Sequence, residues 1–429
     1  MPTPRPVPGD LGLPLVGVVQ HTLEFMRGWE AYFLSRRALH GGVFYTNVGG
    51  PAITLLDPIA VAAALDVTKV KKRYGFGPKK PAPALVGDIV PIMFTNDAEH
   101  DALKGFLLNV LRQRFARLPE VYAEVAPRWF ASLVAPFDAS KAIEGLLAEL
   151  VFTWLLEVKA DPADLRGWLD TLLVTKFLPF ENDTDRHMAA CYTRLLALVK
   201  TSPVLESLAA QAPAGLDRDA VAKHLLYVAG FNAWSGLRGL LTSMVAELAA
   251  MSEPERSSIQ GESNPWRPPE DLAAPEAGIQ RVVLESLRLH PPAPIVFGEA
   301  RADFELPTAT GPVQVREGEI LMSVLTLAQR DPSLGDPEAF RPARFEDPGM
   351  ARRALFWAGG PDGVPTGASN TVCPGQDIVP AIARAFCADW SRAQVTLSEP
   401  SRWSRITMIQ ANRPENGVPV GGFWPGRRI

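Results

Sequence analysis

The stretch NTVCPGQD, residues 370–377, places one of the chain's three cysteines directly before Pro-Gly. It closes a long loop rich in Pro and Gly, Phe356 to Gly375. A helical pattern begins near Gln376, so Cys373 lies just ahead of a helix N-terminus. Backbone N–H groups and the helix dipole favour a thiolate at such a place and lower the thiol pKa. Gly375 lets another group approach the backbone closely. A thiolate is one of the few protein ligands that bind heme iron axially. Taken alone, a buried cysteine is more often a small hydrophobe.

The composition narrows the field. The 429 residues are 47% hydrophobic and 21% charged, which describes a globular chain able to bury a large core. A net charge of −4 gives no electrostatic reason to bind nucleic acid. Forty prolines favour long ordered loops. Cys191, Cys373 and Cys387 are too sparse for a disulfide framework and point to a reducing compartment. No CxxC or HExxH pattern offers a structural zinc site. The start, MPTPRPVPGDLGLP, holds no apolar segment of signal-peptide type, and no apolar run is long enough to span a bilayer. The expectation is a cytoplasmic protein without a transmembrane segment, with peripheral membrane contact left open.

Working outward from Cys373, helical patterns cover residues 97–115, 119–133, 142–156, 219–251 and 276–289, with another at 23–39. The strand-like runs are VFYTNV, AITLL and VQVREGEILMSVL. No domain boundary is evident. Glu285 and Arg288 are three apart and share a helix face. Downstream lies Phe340-Arg-Pro-Ala-Arg344-Phe345, and then Cys373. In this order the three motifs resemble the cytochrome P-450 superfamily, which carries a Glu-x-x-Arg helix, a Pro-x-Arg-Phe element and a C-terminal heme-binding Cys. The resemblance implies a mostly α fold with a small β region, a single domain over residues 1–429. It also implies heme b with Cys373 as axial ligand to the iron, and a buried ion network of Glu285, Arg288 and Arg344.

The cysteine loop departs from the superfamily's usual short form. FWAGGPDGVPTGASNTVCPG is several residues longer, and Asn370-Thr371 stands where a basic residue is usual. This long loop resembles the allene oxide synthase and hydroperoxide lyase branch. Pro8-Gly-Asp-Leu-Gly-Leu-Pro14 is similar to that branch's N-terminal motif, and Glu99-His100 with Lys104 is similar to its Lys-His-x-x-x-Lys helix. His100 and Lys104, four apart, share a helix face. The resemblance implies that both reach heme propionates and that Asn370 and Gly375 belong to the cofactor site. Thr371 replaces the branch's Lys, which puts one propionate contact in doubt.

The second deciding stretch is AGFNAWSGLRG, residues 229–239. Oxygen-activating members of the superfamily read Ala-Gly-x-Asp/Glu-Thr here, an acid and a hydroxyl that relay protons. In this chain the register reads Ala229-Gly-Phe-Asn232-Ala233. Asn232 donates and accepts hydrogen bonds but is no proton source, and Ala233 does neither. The site is poorly built for NAD(P)H-driven monooxygenation. It suits a substrate that already carries an O–O bond, which an amide can orient. Without the Cys373 loop, a mid-helix Asn reads as an interior hydrogen bond, and the nearby glycine as a local distortion.

The implied reaction is rearrangement of a polyunsaturated fatty-acid hydroperoxide, with no redox partner, O2 or NADPH. The product would be an allene oxide, lyase fragments or an epoxyalcohol. An ungapped match puts Gly75 at the branch's product-determining aromatic position, and a shift of one residue puts Phe76 there. Lys72 and Arg238 are candidates for the substrate carboxylate, and Phe231 for its chain. The alternatives are a monooxygenase without its relay, a fatty-acid peroxygenase, and a non-catalytic heme sensor.

Overall fold

Strands with period-2 side chains separate two cores. The structure, a computed structural model, describes residues 4–13, 15–73, 86–170, 183–259, 264–267, 274–358, 370–403, 414 and 416–424. The larger sheet uses Val43–Thr46 (β1), Ala52–Leu55 (β2), Val70–Lys72 (β3), Ile295–Ala300 (β4) and Ile320–Val324 (β5) in the order β1-β2-β5-β4-β3. β1 and β2 form an antiparallel hairpin, with Val43 opposite Leu55. β2 runs parallel to β5 and β4 antiparallel to it. β3 closes the far edge, with Lys72 opposite Gly298. Alternate residues point to opposite faces. Val43, Ile53 and Leu321 therefore enter one core, and Phe44, Ala52 and Met322 another.

Helices bury the third and largest core. The site is positioned by Asp97–Phe115 (α1), Ala139–Leu156 (α2), Pro162–Leu169 (α3), residues 218–250 (α4), Ala274–Leu289 (α5) and Ile378–Arg392 (α6). α1 carries Asp97 and Glu99 in its first turn and Arg112 and Arg114 in its last, which complements the helix dipole. α2 starts where the Asp138 carboxylate accepts the Ser140 N–H at 3.0 Å. It is apolar nearly all round and lies inside. α4 is capped by Asp217, which accepts the Ala220 N–H at 2.8 Å.

The pattern at 219–251 does fold as one continuous run, but not a uniform one. Arg218–Leu226 is α-helical, Tyr227–Trp234 is a π-helix, and Ser235–Ala250 is α-helical again. The Ser235 N–H bonds the Gly230 carbonyl five residues back. A Cβ on Gly230 would sit 2.4 Å from Cζ3 of the buried Trp168 on α3, so only glycine lets the ring come this close. Two other patterns needed revision. Residues 23–39 are not one helix: Val16–Arg27 and Trp29–His40 meet at Gly28. The run 313–325 splits into Val313–Val315 and β5, because Gly318 turns between them at φ +79°.

Candidate active site

Cys373 emerges where the loop meets α6. Its N–H donates to the Trp357 carbonyl at 2.9 Å, and its Sγ accepts the Gly375 N–H at 3.4 Å. The Gly375 carbonyl in turn receives the Val379 N–H at 2.9 Å, joining the loop to the helix start. The sequence expectation of a lowered thiol pKa does not hold in the free chain. Burial pushes the Cys373 thiol up, and the Gly375 N–H and the charge of Lys104 oppose it less strongly.

α1 turns His100 and Lys104 inward: they are 4% and 3% exposed, so this is no solvated face. Lys104 Nζ donates to the Asn370 carbonyl at 2.8 Å and also to the Asn370 side-chain oxygen. His100 Nε2 lies 3.0 Å from the same carbonyl. The Asn370 oxygen also accepts the Val372 N–H at 2.9 Å, so Asn370 braces the cysteine loop against α1. Thr371 gives its hydroxyl to the carbonyls of Leu65 and Ala358. The cation missing from the loop is supplied from the sheet edge. Lys72 on β3 reaches His100 Nδ1 at 2.8 Å.

His100 and Lys104 are buried bases, with the half-buried Lys72 beside them. Among the described residues neither Lys72 nor Lys104 has a salt bridge, although Asp101 acts on both from a distance. Burial, then Lys104, pulls Lys72 down to about 7, and burial pulls Lys104 down to about 8. His100 is lowered by burial and by Lys72. Buried amines of this kind call for anions. The free chain therefore binds fewer protons than its unfolded state between about pH 7 and the ordinary lysine value of 10.5, and its stability rises with pH across that window. Carboxylates seated here would raise both values and flatten the dependence. Thermal unfolding midpoints from pH 7 to 10, with and without heme, measure the difference.

On α4, Asn232 is exposed while Ala229, Gly230 and Trp234 are buried. Phe231 is half-buried and stacks on Tyr227. Phe231 and Ala233, together with Trp357 and Val379 beside the cysteine, pack on one and the same core.

Arg238 is not free for a substrate carboxylate, and that assignment is corrected. It is 3% exposed and pairs with Asp170 at 2.6 Å and Glu144 at 3.2 Å, with its guanidinium 4.4 Å over the Trp234 ring. Arg238 lies six residues beyond Asn232 and meets Glu144 of α2 and Asp170 at the end of α3. Phe76 and Gly75 lie outside the described residues.

The predicted ion network is assembled. Arg288 binds Glu285 through two bonds of 2.6 and 2.8 Å, and Arg344 lies 3.4 Å from the same carboxylate. The Arg341 N–H adds a third contact to Glu285 at 2.8 Å. Arg288 also holds the carbonyls of Gln329 and Pro337, and Arg344 those of Leu334 and Gly335. The segment 329–344, which leads towards the cysteine loop, is thereby tied to α5. Sequence reasoning missed Tyr227 and Met93. The spacing of Tyr227 and Phe231, four apart, was the available signal.

Solved structures include a cytochrome P-450EX alpha with myristic acid that superposes at a TM-score of 0.73, covering 99% of this chain and 100% of that one at 14% identity. The chain has the cytochrome P-450 fold. No protein-family model matches the chain. Its curated relatives include a chloroplastic allene oxide synthase of Linum usitatissimum, 27% identical over 471 residues, covering 95% of this chain and 86% of the relative. A chloroplastic fatty acid hydroperoxide lyase of Solanum lycopersicum is 27% identical over 441 residues, covering 90% and 92%. Both names place those proteins in a plastid, which overturns the cytoplasmic expectation. Among the described residues no helix is long and apolar enough to cross a membrane.

The P-450 fold implies a heme cofactor, and the donor set fits one. Cys373 offers a single thiol whose sulfur accepts a backbone N–H, and Lys72, His100 and Lys104 offer hydrogen-bond donors, two of them amines, for heme carboxylates. Among the described residues no cluster of His, Cys, Asp or Glu offers a rival metal site.

Proposed function

We propose that this protein rearranges polyunsaturated fatty-acid hydroperoxides without O2 or NADPH, as a hydroperoxide dehydratase or lyase. Residues 1–429 act as one heme domain, with heme b held by Cys373. The observation that carries the reading is the exposed Asn232 followed by Ala233, in a π segment of an otherwise buried helix. An amide and a methyl stand where oxygen activation needs an acid and a hydroxyl. The relatives' names, allene oxide synthase and hydroperoxide lyase, agree with it.

A heme bound at Cys373 supplies the one-electron chemistry that breaks and re-forms bonds at the peroxide. The chain's residues do the rest. Lys104, His100 and Lys72 hold the heme carboxylates. The Asn232 amide orients the hydroperoxide and donates to its departing oxygen. Ala233 delivers no proton, which disfavours heterolysis. Phe231 borders the fatty chain. A peroxygenase reading asks for an arginine free to hold the substrate carboxylate, and Arg238 is engaged by Asp170 and Glu144.

The test mixes purified ferric protein with a conjugated-diene fatty-acid hydroperoxide, with no reductant, and follows the diene absorbance. Rapid loss is expected, slowed about 10²- to 10³-fold in Asn232→Ala, the usual cost of removing one oriented donor. An intact heme protein that leaves the diene untouched would refute the reading.

A further inference from the structure

Tyr227 and Phe231 both lie in the π segment, four residues apart. Their rings stack nearly parallel, with centroids 4.7 Å apart and planes 12° apart. Tyr227 is 2% exposed, whereas Phe231 is half-buried beside the exposed Asn232. The Tyr227 hydroxyl is directed at Met93 Sδ. Met93 belongs to the short 3-10 turn Ile92–Phe94. The Ile92 carbonyl in that turn accepts from Thr95 Oγ1 at 3.0 Å and from Lys72 Nζ at 3.4 Å. One buried ring thus touches both the neighbour of Asn232 and the turn against the basic cluster.

We propose that Tyr227 is a positioning residue that sets product choice, resting on the hydroperoxide reading above. An unsupported Phe231 would exchange between rotamers. Stacked on Tyr227, its ring is held in one orientation and fixes the fatty chain beside Asn232. The two product routes need different placements. Dehydration expels one water after a proton leaves the carbon chain, whereas scission divides the same atoms between two fragments. Moving the chain relative to Asn232 therefore changes the partition. The contact to Met93, itself 39% exposed, links Tyr227 to the turn 92–94.

Three variants test this: Tyr227→Leu removes the stack, Tyr227→Phe keeps it, and Met93→Leu removes the sulfur acceptor alone. Products are separated after single turnovers with a fatty-acid hydroperoxide, and heme content is measured alongside. Tyr227→Leu is expected to shift the ratio of major to minor product at least about threefold, the scale of an aromatic pair, at unchanged heme content. Tyr227→Phe and Met93→Leu each keep the stack and lose only the hydroxyl–sulfur contact, so both should lie much nearer the unaltered ratio than Tyr227→Leu does. An unchanged ratio in Tyr227→Leu overturns the proposal, as does a mere loss of stability or heme. If the unaltered protein consumes no hydroperoxide, the function fails separately. The positioning claim is then read from Soret titrations with the corresponding hydroxy fatty acid. There Tyr227→Leu must weaken binding at least about threefold and Tyr227→Phe must not. Equal binding by all three proteins, or by none, overturns it.

Discussion

Cys373→Ala is expected to abolish hydroperoxide consumption, lowering turnover about 10³-fold or more, while leaving a folded chain. The fold should survive because the Cys373 backbone carries the local order. Its N–H to the Trp357 carbonyl and its carbonyl to the Gln376 N–H do not depend on the side chain. What is lost is the sulfur that would hold the heme iron. Desolvation raises the pKa of the half-buried Cys373 thiol in the free chain, and a bound iron would make the thiolate the stable form there. Heme should still associate through Lys72, His100 and Lys104, weakly and without the thiolate signature in the ferrous carbon monoxide spectrum. Circular dichroism, heme stoichiometry and that spectrum measure the three parts separately. Wild-type turnover in the variant would show that another group serves the iron.

Glu285→Ala is expected to cost about 3–5 kcal/mol, the penalty for leaving a buried charge without its partner. Glu285 is 0% exposed and Arg288 2%, so water cannot replace the lost carboxylate. The loss is a large share of the roughly 5–15 kcal/mol that holds a typical domain together. Arg288 and Arg344 would keep their carbonyl contacts, yet two guanidinium groups would face each other without the carboxylate between them. The segment 329–344 should loosen first, and heme retention should fall with it. Urea unfolding and the heme-to-protein ratio test this, and an unchanged unfolding midpoint would show the network to be dispensable for stability.

The parts of the site that were legible in the sequence are those written in local spacing. Glu285 and Arg288 three apart, His100 and Lys104 four apart, and Cys373 against Pro-Gly each fix a shared helix face or a loop end by themselves. The same spacing put His100 and Lys104 on one side of α1, and the fold buries that side. What the sequence hid depends on distant partners. Arg238 looked available because Glu144 and Asp170 lie 94 and 68 positions away and meet it only through helix packing. Lys72 looked like a substrate contact. Its place beside His100 comes from β3 pairing with β4 at the sheet edge, 28 positions away from the histidine. The thiol pKa was misjudged for a related reason: helix-end geometry is local, whereas burial is a property of the whole fold. Gly230 signalled a distortion in the sequence, but not its close approach to Trp168, which lies on another helix.

That indole has an evolutionary consequence. Gly230 and Trp168 fill one volume between them: the ring occupies the place where a side chain would begin. Neither position can change size freely while the other stays as it is. Across descendants and relatives of this chain the two should drift as a pair, with a larger residue at the Gly230 register tolerated only where the Trp168 counterpart has shrunk. A lineage that has lost the indole would be released to carry a side chain at the Gly230 register. That residue would lie two positions from Asn232, which makes α3, outside the site itself, a place where changes near the amide can begin.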